Sequence, residues 1–289
     1  MSNRADRSDL PLVILAAGRA RRYGGCKPLA PVGPHGEAVI DLVASDALAG
    51  GFGRIVLVLG PSTGPAIRYH VEHTWPKDVD VRFALQERPR GTVDAVLSAS
   101  EHVAGSAFGV SNADDTYGHR ACAQLVEHLC AEPQANALVG YRLANAVIGP
   151  SAVSRGICQV GPQGRLLGVV ERRQVRAVGD GTYVSDDGRQ PKTLSPDDPV
   201  SMNLWGFTPA FHATLRAAMD AATDASEESE VLLPEVVGSS LASSTFTVLP
   251  TTGRCVGVTH PDDLSLVQAE INRQVATGER PAELWPSLR

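Results

Sequence analysis

Residues 12–29 read LVILAAGRARRYGGCKPL: an apolar run, the small residues Ala16, Ala17 and Gly18, then Arg19, Arg21, Arg22 and Lys27 with no acidic residue among them. Small residues at the end of a buried strand bring backbone N–H groups against a ligand, and the cations that follow make the loop an anion cradle. Neither GxxxxGK[ST] nor GxGxxG is present, so the loop is neither a P-loop nor a dinucleotide fingerprint. A second candidate is Asp114-Asp115 at the end of VSNADD, which by residue type alone suits a turn and helix cap as well as a site. The eight histidines show no metal spacing; His70 and His73 lack a third ligand and are expected on a helix surface.

The rest of the composition narrows the classes. The chain has 289 residues, 43% hydrophobic and 20% charged, within the range of a globular protein and long enough for a sizeable core. Its net charge of −6 gives no global basic field for nucleic acid or anionic membrane. The apolar runs fall far short of the roughly 18 residues that span a bilayer. The polar start MSNRADRSDLP lacks the pattern of a secretory signal, so the expected location is cytoplasmic. Five cysteines (26, 122, 130, 158 and 255) form no CxxC pair, and most are expected to be buried thiols. A homo-oligomer is left open.

These residues need a scaffold. β-rich runs at 12–16, 54–60, 79–85, 106–111 and 137–141 alternate with helical patterns at 38–49, from Thr92, and at 120–131, as in a parallel sheet with crossover helices. Beyond Tyr141 the runs at 156–160 and 165–170 flank Pro162-Gln163-Gly164, which suggests a hairpin added antiparallel to the sheet. The polar, Gly-, Asp- and Pro-rich segment 174–199 is expected to be a loop or lid. A strand at 203–208, a helix at 209–222, a short helix from Pro234, a strand at 245–249 and a helix opening near Pro261 follow. The expectation is one α/β domain: a first half over 1–142, a second half over 143–260, and a C-terminal helix and tail over 261–289.

LAAG at 15–18 followed by Arg22 and Lys27-Pro28 resembles the signature of the sugar-phosphate nucleotidyltransferase (NTP transferase) family. The resemblance extends along nearly the whole chain. It implies a Rossmann-like three-layer α/β/α fold with a mixed, mainly parallel sheet, of the nucleotide-diphospho-sugar transferase type. It also implies Mg²⁺-dependent transfer of a nucleoside monophosphate from an NTP to a phosphorylated sugar, releasing pyrophosphate. Catalysis is then expected from Arg22, Lys27 and Asp114, with Mg²⁺ held by Asp114. Leu15, Ala16, Ala17, Gly18, Gln86, Gly91 and Thr92 are expected at the nucleotide. Gly156, Glu171, Arg172, Asn203 and Trp205 are expected at the acceptor, with Arg172 in place of the family's phosphate-binding lysine; Trp205 reads equally as core.

Departures from the family pattern bear on the substrate. Ala20 stands where the family loop has a second glycine, and the loop is shorter than in the common hexose-phosphate members. Glu230 is favoured over Glu235 as second metal ligand, where many relatives have an Asp. A cyclitol phosphate or other phosphorylated alcohol is a nearby alternative acceptor. A nucleotide-sugar glycosyltransferase and a non-catalytic sugar-nucleotide-binding homologue are the more distant rivals.

Overall fold

The run at 12–16 is apolar throughout because it is covered on both faces, as parallel strands are. In the computed structural model, which describes residues 10–18, 25–103, 105–225, 229–258 and 261–285, Leu12 and Ile14 enter one core and Val13 the other. The strands are β1 (Pro11–Ala16), β2 (Arg54–Leu59), β3 (Val81–Leu85), β4 (Phe108–Asn112), β5 (Asp115–Thr116), β6 (Asn136–Arg142) and β7 (Val153–Val160). They continue as β8 (Leu166–Ala177), β9 (Tyr183–Ser185), β10 (Thr193–Leu194), β11 (Pro199–Phe207), β12 (Phe246–Thr251) and β13 (Val256–Gly257). The helices are α1 (Val39–Ala49), α2 (Gly64–Thr74), α3 (Thr92–Ser98), α4 (Ser100–Val103), α5 (His119–Ala131), α6 (Leu143–Ala146), α7 (Phe211–Ala225), α8 (Leu233–Ser240) and α9 (Leu264–Ala276). None of the described helices is long and apolar enough to cross a membrane.

The central strands run in the order β3-β2-β1-β4-β11-β6-β12. β1 to β4 are mutually parallel; β11 runs against both β4 and β6, and β12 is parallel to β6. One reversed strand in an otherwise parallel centre is the mixed, mainly parallel sheet expected. The apolar faces of α1, α2, α5 and α9 fill the core on one side, and those of α3, α7 and α8 fill the core on the other.

β11 is long enough to change neighbours. Its first half pairs with β7 and β6, its second half with β6 and β4, and the register shifts between Ser201 and Trp205. Asn203 sits at that shift with φ of 62°, a left-handed conformation that asparagine tolerates better than most residues.

The expected lid at 174–199 is largely an ordered arm. β8 continues to Ala177 and pairs with β9, which pairs with β10. Its polar composition concealed the buried Val175, Tyr183 and Leu194, which attach the arm to the main core.

Candidate functional site

The site forms where β1 and β4 end side by side. β1 stops at Ala16 and leads through Ala17 to Gly18; β4 stops at Asn112, two residues before Asp114. Lys27 opens a short 3-10 turn, and its Nζ lies 3.7 Å from Asp114 Oδ2, the two side chains being 18% and 35% exposed. Burial and the neighbouring Asp115 charge push the Asp114 carboxyl up to about 6, against the pull of Lys27. Arg22, with Arg19 and Arg21, lies outside the described residues.

Several contacts fix the acidic turn. Asn112 Nδ2 donates to Asp115 Oδ2 at 3.0 Å, and β5 pairs with β13. There, any Cβ on Gly257 would sit 2.6 Å from the Asp114 carbonyl oxygen, so the close approach requires glycine. The buried Tyr117 hydroxyl accepts from Asn112 N at 3.0 Å and donates to Met202 O at 2.9 Å, tying the end of β4 to the β11 bulge.

Among the described residues no cluster of three or more His, Cys, Asp or Glu could hold a metal by itself. Magnesium takes one or two carboxylates and completes its shell from water and substrate phosphates, so a part-exposed Asp114 fits that role. Glu230 is exposed and does not line the adjoining cleft, whereas Glu235, in the first turn of α8, does.

Gln86, Gly91 and Thr92 are brought together, each with a structural partner. Gln86 Nε2 donates to Gly91 O at 3.0 Å and to Asp94 Oδ2 at 2.9 Å, so only its carbonyl oxygen is left by these bonds for a base. Gly91 has φ of 94°, and a Cβ there would run into the Val231 backbone, 2.6 Å from its nitrogen. Leu233 N donates to Thr92 Oγ1 at 2.8 Å. The Gly-Thr pair therefore docks the segment leading into α8 against the start of α3.

Beside the Lys27–Asp114 pair opens a cleft of about 790 Å³ lined by Gly156, Glu171 and Asn203, together with Asp115, Arg155 and Glu235. Two expected acceptor residues do not face it. Arg172 is 4% exposed: its Nε and Nη2 donate to Asp187 at 2.8 and 3.1 Å, and Nη2 also to the Arg189 and Pro191 carbonyls. Strand alternation turns it away from Glu171 and Arg173, so it braces the 187–191 loop instead of offering a phosphate-binding charge. Trp205 is fully buried among Phe207 and Phe246, which settles it as core rather than platform. Its Nε1 nonetheless donates to Asn203 Oδ1 at 3.2 Å, fixing the amide so that Nδ2 is the group left to donate.

Asp115 and Arg155 were not among the expected acceptor residues, and Glu235 was the less favoured choice as second metal ligand. Asp115 and Glu235 carried a signal, being acidic residues beside or within the recognised motifs. Arg155 carried none, since nothing local marks an arginine on an exposed-looking hairpin.

The same arrangement of elements occurs in solved structures. A Bacillus anthracis protein described as a glucose-1-phosphate thymidylyltransferase, in complex with sucrose, superposes with a TM-score of 0.68 at 12% identity, covering 91% of this chain and 95% of its own. A UDP-glucose pyrophosphorylase complexed with UDP-glucose gives 0.64 at 11% identity, covering 92% and 99%. At such identities the likeness is one of fold, the nucleotide-diphospho-sugar transferase type. No curated protein matches the chain in sequence. The sequence model of the MobA-like NTP transferase domain matches residues 12–233, well over half the chain. With the strand-end Lys27–Asp114 pair inside that span, the chain belongs to the MobA-like NTP transferase domain family, and its domain is that of a nucleotidyltransferase.

Proposed function

We propose that the chain transfers a nucleoside monophosphate from an NTP to the phosphate of a sugar 1-phosphate or sugar-like phosphate, forming an NDP-sugar and releasing pyrophosphate. One observation carries the reading: Lys27 and Asp114 meet at 3.7 Å at the carboxyl ends of neighbouring parallel strands, and a polar cleft large enough for a phosphorylated sugar adjoins them. The similar structures named for glucose 1-phosphate and UDP-glucose support the same acceptor class.

A phosphate oxygen of the acceptor is already a competent nucleophile, so no Ser/His/Asp triad is required. It attacks the α-phosphorus in line; the bond from that phosphorus to the bridging oxygen breaks, and its electron pair leaves with pyrophosphate. Catalysis reduces to positioning and neutralisation of charge. Lys27 acts as a point charge on the triphosphate, and Arg22 is assigned the same task as a planar fork. Held by Asp114, Mg²⁺ would supply charge neutralisation at phosphate oxygens. Asn203, with its amide fixed by Trp205, and Glu171 orient the acceptor's hydroxyls.

The test is pyrophosphate release over the four NTPs with Mg²⁺ against sugar 1-phosphates and cyclitol phosphates. At least one pair is expected to turn over. Lys27→Ala should lower that rate by ~100-fold or more with an unchanged melting temperature. Near-normal turnover in the variant would overturn the assignment, and selective use of a cyclitol phosphate would move the acceptor to that class.

A further inference from the structure

We propose that Arg155 is the residue that holds the acceptor's phosphate in the cleft, a role that rests on the transferase reading above. Among the described residues, three arginines line that cleft: Arg155, Arg173 and Arg189. Arg173 is exposed and spent on Glu171, its Nε 3.2 Å from Oε1. Arg189 is exposed on the loop rim. Arg155 differs from both in how it is held.

Its Nε and Nη2 donate to the Ala146 carbonyl at 2.8 and 2.6 Å, and its Nη1 donates to the Ser154 carbonyl at 2.7 Å. Three of the five N–H bonds of the guanidinium are thus spent on neutral oxygens, leaving one on each Nη. No carboxylate forms an ion pair with it among the described residues, although the charge of Asp115 reaches it through space. A guanidinium fixed in place and largely withdrawn from water, without a counter-ion, carries a desolvation cost that an anion would offset. Burial accordingly draws its pKa below the ordinary arginine value.

Arg172 is neutralised by Asp187 in a buried pair, with both side chains 5% exposed. The charge of Arg155 is left over, next to Gly156 in the cleft lining. A phosphate monoester supplies the missing charge and accepts from both free N–H bonds in the fork geometry that guanidinium favours. Preorganisation by two carbonyls means that little side-chain freedom is lost when it binds.

The test is calorimetric titration of inorganic phosphate into full-length protein whose nucleotide site is saturated with Mg²⁺ and a non-hydrolysable NTP analogue. Arg155→Gln should weaken phosphate binding at least ~10-fold and Arg155→Lys by less, while nucleotide affinity stays at the wild-type value. A purely structural arginine would lower the melting temperature in both variants without changing phosphate affinity of the folded protein. Wild-type phosphate affinity in Arg155→Gln, loss of binding on Arg189→Gln instead, or no phosphate binding by the wild type would overturn the proposal. If no nucleotide binds, the transferase reading fails by itself, and the same titration on the free protein still decides the role of Arg155.

Discussion

Asp41 gathers three donors around one carboxylate. Its Oδ2 accepts from Ala38 N at 2.8 Å, at the start of α1, while Oδ1 accepts from His70 Nε2 at 2.8 Å and from Trp75 Nε1 at 2.7 Å. His70 was expected on a helix surface, yet it turns inward from α2 and is only 24% exposed. The hydrogen bond to Asp41 raises the His70 pKa, more than burial lowers it. The charged form is therefore favoured by folding. Its stabilisation is fully present below the unfolded value of about 6.5 and is lost as pH rises through the higher folded value. Thermal melts of wild type and His70→Gln should differ more at pH 5.5 than at pH 9; an equal difference at both would remove the ionic part of this contact. The same local view explains Arg172: its residue type was right for phosphate, but the partner that claims it stands 15 residues downstream.

At the scale of elements, the Gln…Gly-Thr segment shows a motif serving two ends. Its spacing marks a nucleotide-side turn, yet the contacts that demand glycine come from Val231, far away in sequence. Gly91 has a positive φ, and Val93 N donates to Val231 O at 3.1 Å just beyond it. Gly91→Ala should destabilise the fold by about 1–3 kcal/mol, read by urea denaturation. It should also loosen the 231–233 segment, seen as faster amide exchange at Val231 and Leu233. Unchanged stability would mean that the backbone shifts without cost. The alternating strands and helices of the first half were legible because each crossover leaves a complete local pattern. The 174–199 arm was not, because its strands are short, polar and fixed by contacts outside themselves.

Across the whole molecule, α1 is clamped to the segment after α9. Arg280 forks onto Asp46 of α1 with both bonds at 2.8 Å and both side chains 4% exposed, and Asp46 also accepts from Gly118 N at 3.0 Å. Gly118 precedes α5 and follows the acidic turn, so the segment after α9 supports the site from behind. Arg280→Ala leaves a buried carboxylate without its cation and should cost about 3–5 kcal/mol of unfolding free energy. Replacing both partners by apolar residues should cost less. Equal losses in the single and double variants would mean that the pair contributes only packing.

By itself the sequence determined the alternating strands and helices of the first half and the acidic strand end, because each is encoded in adjacent residues whose period or spacing is local. Only the tertiary structure decided which charges remain for a ligand. Asp187 removes Arg172 from the cleft, Trp205 leaves the surface to orient Asn203, and Arg155, with no ion pair among the described residues, leaves one positive charge there. Whether a charge is spent depends on residues far apart in the chain, so it follows from the pairing of strands and not from the motif that contains it.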